Sequence, residues 1–472
     1  MREDGQGDNF YDIHKKSWNK DYNYGIIINM KVKVRIAPSP TGFLHVGTAQ
    51  SALYNWLFAR KNEGEFYLRI EDTDKERSTK EFEDSIIDAL IWLGLKWDGD
   101  FIHQSERNLK YRVALEKLLA EGKSFYCHHT KEELEAERKS QEEAKEPPRH
   151  DCGHKNTEEG KKEGGIIRLR VREGIVSFED EIRGNIKFDA PLFGDFSIGK
   201  SLDEPLYNFA VVVDDADMEI SHVIRGEDHI SNTPKQILIY EALGKTPPQF
   251  AHLPLILAPD RSKLSKRHGA TAVIDYKKDY LPEALINFLG TLSYTFSKEI
   301  LTKEEMIEEF ELAKVHRSGA IFDVKKLNWL NSQYIKKLSP AEFKKITGLE
   351  IPDAAVPLIT ERLEKLSDVQ NFEYLWKEPE YEPDLLQWKN SSREETLNSL
   401  EMAEKIIRSD KDLRPSLDEL GQKLNNRGLA YWPLRVALSG KEKSPDSVEL
   451  ATVLGKEESL KRIEKAISKL KT

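Results

Sequence analysis

Val32, Val34 and Ile36 are apolar, while Lys31, Lys33 and Arg35 between them are polar. A period of two is the pattern of a strand with a buried face, and it predicts the first strand here. Pro38-Ser39-Pro40-Thr41-Gly42 follows, and two prolines with a glycine can continue neither strand nor helix. From His45-Val46-Gly47-Thr48 the spacing turns helical, with Leu53, Trp56, Leu57 and Arg60 recurring before Gly64. Phe66, Leu68 and Ile70 then alternate again. Strand, helix and strand within about 40 residues make a βαβ unit, the building block of a parallel sheet.

A second region of this kind comes later. The apolar run Ala210-Val211-Val212-Val213 predicts a central strand buried on both faces, and His222-Val223-Ile224-Arg225 another. Thr233 before Pro234 reads as an N-cap with proline at the first helical position, opening a helix that ends at Gly244. The roughly 110 residues between the two halves differ in character, and 130–165 is almost entirely charged or polar, which predicts an inserted domain. From about 280 the chain reads helical, with Leu281, Leu285, Phe288, Leu289 and Leu292 on one face, and no repeat period appears. The expected fold class is α/β: a parallel-sheet domain built from 30–110 and 205–258, interrupted by an α+β insert at 111–204. A basic loop and helices follow at 259–335, then an all-helical region at 336–472. Residues 1–29 are polar and lack the apolar core of a secretory signal, so they are expected to be a disordered tail or an extension upstream of Met30.

Composition narrows the class. The 472 residues are 39% hydrophobic and 33% charged, enough chain for several cores. No apolar run is long enough to span a bilayer. Two cysteines exclude a disulfide scaffold and fit a reducing compartment, so a cytoplasmic location is expected. A net charge of −10 excludes a uniformly basic coat but leaves room for a local basic stripe.

Two segments carry candidate chemistry. The turn from Ala37 to Thr48 lies between a predicted strand and a helix N-terminus, where backbone N–H groups and the helix dipole attract an anion. Gly47 allows close approach of a ligand, and His45 and Thr41 can donate to phosphate oxygens. Arg261-Ser262-Lys263-Leu264-Ser265-Lys266-Arg267-His268-Gly269 places four cations in seven residues, suited to wrapping a polyphosphate. Alone, each has a bland reading: a proline-rich connection, or a solvated basic loop.

Together they resemble the class I aminoacyl-tRNA synthetases. His45-Val46-Gly47-Thr48 is similar to that class's His-Ile-Gly-His motif, and Lys263-Leu264-Ser265-Lys266-Arg267 to its Lys-Met-Ser-Lys-Ser motif. The glutamyl branch, of bacterial type, is closer still. Its resemblance rests on Arg35-Ile36-Ala37-Pro38-Ser39-Pro40-Thr41-Gly42, Leu68-Arg69-Ile70-Glu71-Asp72-Thr73-Asp74 and Val223-Ile224-Arg225-Gly226-Glu227-Asp228-His229. It implies a Rossmann-like catalytic domain, an acceptor-stem-binding insert and a helical anticodon-binding region. The implied activity joins L-glutamate to ATP as glutamyl-adenylate, releases pyrophosphate, and transfers glutamate to tRNA(Glu). Charging of tRNA(Gln) as well is the alternative, and a small-molecule nucleotidylyltransferase is a remoter one. A monomer using Mg²⁺ with ATP is expected.

Arg35 and Arg225, at the ends of predicted strands, are the expected partners of the substrate's side-chain carboxylate, because a guanidinium binds a carboxylate through two parallel bonds. Glu71 is expected to meet the substrate ammonium group, and Ser39, Tyr207 and Ala37 match family positions that line the pocket. The resemblance assigns His45, Gly47, Thr48, Lys263 and Lys266 to ATP, with His45, Thr41, Lys263 and Lys266 as the catalytic set. Both cysteines fall in two Cys-x-His pairs separated by 22 residues, Cys127/His129 and Cys152/His154. These four form a candidate tetrahedral site for one structural zinc ion. His129 stands where zinc-bearing relatives have a second cysteine, and His128 and His150 are nearby substitutes. In the tail, Arg317, Arg427 and Arg435 are candidates for anticodon contact.

Overall fold

The structure, a computed structural model, describes residues 31–471 apart from 266, 268–270, 410 and 411. The extension expected at 1–29 lies outside the described residues. β1 (Lys33–Ile36) leads through the proline-rich turn into α1 (Val46–Lys61), and β2 (Glu65–Ile70) returns parallel to β1 with Arg35 opposite Tyr67. α2 (Lys80–Trp92) then carries the chain to β3 (Ile102–His103), which adds parallel to β2. Val34, Phe66, Leu68 and Ile70 are fully buried, as the alternation requires. The polar face of β1 is covered too, and Arg35 is only 4% exposed.

The insert begins with α3 (Asn108–Ala120), β4 (Ser124–Cys127) and α4 (Lys131–Glu143). β5 (Ile166–Leu169), β6 (Ile175–Asp180), β7 (Gly184–Asp189), β8 (Ser197–Ser201) and β9 (Glu204–Pro205) follow. β4, β5, β8 and β9 form an antiparallel sheet in that order, but the β6–β7 hairpin belongs to another sheet.

Residues Ala210–Val213, expected as a strand, are part of α5 (Tyr207–Asp217). Every residue from Phe209 to Asp215 is buried, so no polar face remains to show a helical period, and a short apolar run alone fits either element. The helix packs Phe209, Ala210, Val212 and Val213 into a core that residues of the insert share with Val223, Ile237, Leu238 and Phe250. Its C-terminal half sends Asp214 and Asp215 to arginines from other elements.

β10 (His222–Gly226), α6 (Thr233–Leu243) and β11 (Gln249–Leu253) complete the second half, with Arg225 opposite His252 in the parallel β10–β11 pair. Thr233 is the first residue of α6, with Asn232 at the N-cap, and its hydroxyl is thereby available to the site described below. Gly244 ends α6 at φ +67°, a left-handed position that favours glycine. The halves are stitched by the Ser221 N–H, which donates to Lys33 O at 2.9 Å. Asn55 Nδ2 on α1 donates to Ile224 O at the same distance. The hairpin of the insert reaches this sheet as well: β6 runs parallel to β11, with Asp180 opposite Phe250.

β12 (Ile256–Leu257) pairs with the distant β13 (Ala320–Ile321), between which lie α7 (Pro282–Leu292) and α8 (Lys303–Glu309). Leu285, Phe288 and Leu289 of α7 are buried in the catalytic core, and Tyr54 on α1 donates to Gly290 O at 2.9 Å. α9 (Val324–Ile335), α10 (Pro340–Thr347), α11 (Val356–Thr360), α12 (Arg393–Arg408), α13 (Leu413–Lys423), α14 (Arg427–Ser439) and α15 (Ser447–Lys471) make the helical end of the molecule. Leu400, Leu434, Leu438, Leu450 and Ile463 fill a core of their own. α15 is kinked at Gly455, whose φ of +78° is a conformation that suits glycine.

Candidate active site

At the C-terminal ends of β1, β2 and β10 lies a cavity of about 530 Å³. Its wall includes Arg35, Ala37, Ser39, His45, Gly47, Thr48, Glu71, Tyr207, Arg225 and Lys263, so it gathers nearly all the expected residues. Two do not join them. Thr41 is half-buried on the turn, outside the wall, and Lys266 lies outside the described residues.

The helix N-terminus differs from the expected set of open N–H groups. The Val46 N–H donates to Thr271 O at 2.9 Å, and the Gly47 N–H to His45 Nδ1 at 3.0 Å. His45 is thus the N-cap of α1. A ring whose Nδ1 accepts and which is neutral carries its proton on Nε2, and burial together with the Lys263 charge pulls the His45 pKa down. The Nε2–H is then a donor for an anion. A Cβ at Gly47 would stand 3.3 Å from His45 Nδ1 and crowd this arrangement. Lys263, across the cavity, is held by Asp228 at 3.1 Å.

The amino-acid end is a closed network of charges. Arg35 Nε and Nη2 donate to Asp215 Oδ1 and Oδ2 at 3.0 and 3.2 Å. Arg69 has no exposed surface and donates to Asp215 Oδ1 at 2.6 Å and to Glu71 Oε1 at 3.1 Å. Asp214 takes Arg107 Nε, Gln104 Nε2 and the Tyr111 hydroxyl. Burial pushes the Glu71 carboxyl up against the pull of Arg69 and Arg35, so an incoming ammonium group would favour its ionised form. The Tyr207 hydroxyl, 3.3 Å from His229 Nδ1, closes one side.

Arg225 enters from β10. Its Nη2 donates to Thr233 Oγ1 and Gln236 Oε1, both at 2.8 Å, and its Nε to His252 Nε2 at 3.3 Å. Nη1 is buried and has no hydrogen-bond partner among the described residues. An unpaired buried N–H group costs on the order of 1–3 kcal/mol, which an acceptor placed in the cavity would offset. Among the described residues no carboxylate forms an ion pair with Arg225, whereas Arg35 pairs with Asp215. Arg35, Glu71 and Arg225, expected from the sequence, line the cavity, whereas Asp215, Arg69, His252 and Asp180 were not singled out there. The only sequence signal for the first of these is the pair Asp214-Asp215 closing an apolar run.

The cysteines lie in the insert, away from the cavity. Cys127, His129, His150 and Cys152 place their ligand atoms within 4.8 Å of one another. Cys127 Sγ is 3.4 Å from His129 Nδ1 and 3.6 Å from His150 Nε2, and Cys152 Sγ is 3.6 Å from His129 Nδ1. Ligands around tetrahedral zinc stand roughly 3.3–3.8 Å apart, so the donor set fits that ion. The expected fourth residue, His154, falls outside this group of four, and His150 falls within it. His154 Nδ1 lies 3.5 Å from Cys152 Sγ and accepts the His128 N–H at 3.4 Å. His150 is better placed because Glu137 on α4 holds its Nδ1 at 2.5 Å and turns Nε2 toward Cys127.

The strand–turn–helix and the arginine-lined pocket it faces belong to the catalytic domain of a class I tRNA synthetase. The family model described as tRNA synthetases class I (E and Q), catalytic domain, matches residues 31–329, and an anticodon binding domain model matches 306–467. A glutamate–tRNA ligase from Dehalococcoides mccartyi (strain CBDB1) is 41% identical over 481 residues, covering 93% of this chain and 98% of that protein. Another, from Thermodesulfovibrio yellowstonii, is 42% identical, covering 92% and 99%. The crystal structure of a glutamate tRNA ligase from Elizabethkingia meningosepticum in complex with its amino acid superposes with a TM-score of 0.82 at 32% identity, covering 93% of this chain and 99% of that one. The chain belongs to the glutamate–tRNA ligase family.

Proposed function

We infer that the protein activates L-glutamate with ATP and passes it to tRNA(Glu). The observation that carries this reading is Arg225: a buried guanidinium in the cavity wall, with one nitrogen that lacks a hydrogen-bond partner among the described residues. The glutamate side-chain carboxylate supplies the missing acceptor. The neutral amide of glutamine would present its NH₂ or a weaker oxygen to the same nitrogen.

In the first step the glutamate α-carboxylate oxygen bonds to the α-phosphorus of ATP, and the bond to the bridging oxygen breaks to release pyrophosphate. No protein nucleophile takes part. Glu71 holds the ammonium group, Arg35 and Arg225 hold the side chain, and the Ser39 and Tyr207 hydroxyls and the Ala37 backbone complete the pocket. His45 Nε2–H and Lys263 sit on the phosphate side, with Lys266 proposed to join them. Catalysis then rests on alignment and charge stabilisation. Mg²⁺ accompanies the nucleotide. In the second step a ribose hydroxyl at the tRNA 3′ end attacks the activated carbonyl and displaces AMP. The insert and the terminal helices would hold the acceptor stem and anticodon.

Cys127, His129, His150 and Cys152 would bind one structural zinc ion, which ties β4 to the loop after α4 and takes no part in the reaction. The test of the main reading is aminoacylation with labelled glutamate, ATP, Mg²⁺ and separate tRNA(Glu) and tRNA(Gln) transcripts. Charging of tRNA(Glu) is expected. Failure to charge either transcript, in protein that binds ATP, contradicts the reading.

A further inference from the structure

Behind Arg225 lies a buried chain of polar groups that touches no substrate. Asp180, at the end of β6, and His252, on β11, both have side chains without exposed surface. Asp180 Oδ2 stands 2.6 Å from His252 Nδ1. Its other oxygen accepts the backbone N–H groups of Ile182 at 3.0 Å, Arg183 at 2.8 Å and His252 at 3.3 Å. The carboxylate is therefore fixed in place by the turn between β6 and β7. Against it, His252 must carry its proton on Nδ1, which leaves Nε2 with a lone pair.

That lone pair faces two donors. Arg225 Nε donates to it at 3.3 Å, and the Thr233 hydroxyl, 3.0 Å away, donates to it while accepting from Arg225 Nη2. A proton on Nε2 would set N–H against N–H and push the guanidinium out of register. Burial pulls the His252 pKa down, which keeps the ring neutral. Phe250 completes the cage, with the Arg225 guanidinium 5.8 Å from its ring centroid and the His252 ring stacked at 6.3 Å. Every nitrogen of Arg225 except Nη1 is thereby directed.

We propose that Asp180 and His252 are positioning residues for substrate selection: Asp180 fixes the tautomer of His252, and His252 aims the Nη1 edge of Arg225 at the side-chain carboxylate. This rests on the reading that Arg225 receives that carboxylate. Because Asp180 belongs to the insert and Arg225 to the catalytic sheet, the aim of the pocket depends on how the insert is docked. The neighbouring Arg183–Glu227 ion pair and the Leu255 N–H donated to Glu227 at 2.9 Å fasten the same joint.

The test is steady-state aminoacylation by the full chain with tRNA(Glu), reading KM for glutamate and for ATP separately. In His252→Phe the glutamate KM should rise about tenfold or more, the scale set by loss of one hydrogen bond to a charged group. The ATP KM should stay within about twofold. His252→Gln, whose amide oxygen can accept from Arg225, should restore most of the loss. The near-isosteric Asp180→Asn, chosen in case the phenylalanine variant fails to fold, should also raise the glutamate KM selectively. In protein labelled with ¹⁵N-histidine, the His252 resonances, identified by their loss in His252→Gln, should show Nδ1 protonated and Nε2 bare. Arg225→Gln is the control for the reading itself: if its glutamate KM does not move, that reading falls and this inference with it. If Arg225→Gln raises the glutamate KM while His252→Phe and Asp180→Asn do not, the inference alone is overturned. A protonated Nε2 in the labelled protein overturns it as well.

Discussion

Arg69 is the residue on which the charge balance of the site turns. It has no exposed surface, and it pairs with Asp215 and Glu71 while Asp214 stands 3.8 Å from its Nε. Removing one member of such a group strands the others without water. Arg69→Met is expected to cost about 3–5 kcal/mol in urea unfolding, the usual cost of breaking a buried pair. A cost under about 1 kcal/mol would mean that the network is solvated. His45 is the corresponding residue on the phosphate side. His45→Ala should lower the rate of adenylate formation by about 10²-fold, the scale of one lost charge-stabilising donor. An unchanged rate would remove the ring from the reaction. Arg35, Glu71, His45 and Arg225 were legible because each falls in a motif that resembles the glutamyl branch, with Arg35, Glu71 and Arg225 at or just past a strand end. Asp215, His252 and Asp180 were not. Their partners are distant along the chain, 180 residues between Arg35 and Asp215 and 72 between Asp180 and His252. Nothing local in the sequence marks such a pairing.

Polar residues break up the apolar ones in β1, α1 and β2 even where both are buried, as at Arg35, Asn55 and Arg69, so their periods show, whereas Phe209–Val213 of α5 is an unbroken apolar run that reads as a strand. The Cys/His loop is a different case. Equal Cys-x-His spacing points to His154, whereas the group that the structure gathers holds His150, with Glu137 of α4 against its Nδ1. This distinction is measurable. Purified protein should contain close to one zinc per chain by elemental analysis, His150→Ala should lose it, and His154→Ala should retain it. Retention in His150→Ala with loss in His154→Ala would restore the ligand set expected from spacing.

Over the whole molecule, two half-buried histidines bind stability to pH. Burial lowers the His222 pKa to about 4, and burial with the Arg225 charge does the same to His229. In the unfolded chain both would titrate near 6.5, so between 6.5 and 4 the unfolded state takes up protons that the folded state refuses. Stability is therefore full above about pH 6.5 and falls as pH drops toward 4. His222→Gln should flatten the slope of Tm against pH in that window, and an unaltered slope would place the titration elsewhere. The fold itself brings the parts together: β6 of the insert lies in the catalytic sheet beside β11, and α7 anchors the helical half against α1. Among the described residues no helix is long and apolar enough to cross a membrane. The central claim is that this frame presents a cationic pocket to a side-chain carboxylate. It is tested most directly by calorimetric binding of two non-reactive adenylate mimics, glutamyl- and glutaminyl-sulfamoyl adenosine, to the protein with tRNA(Glu) present. The account predicts that the glutamyl compound binds at least about 10²-fold more tightly, because only it pairs the buried Arg225. Equal affinity for the two would contradict it.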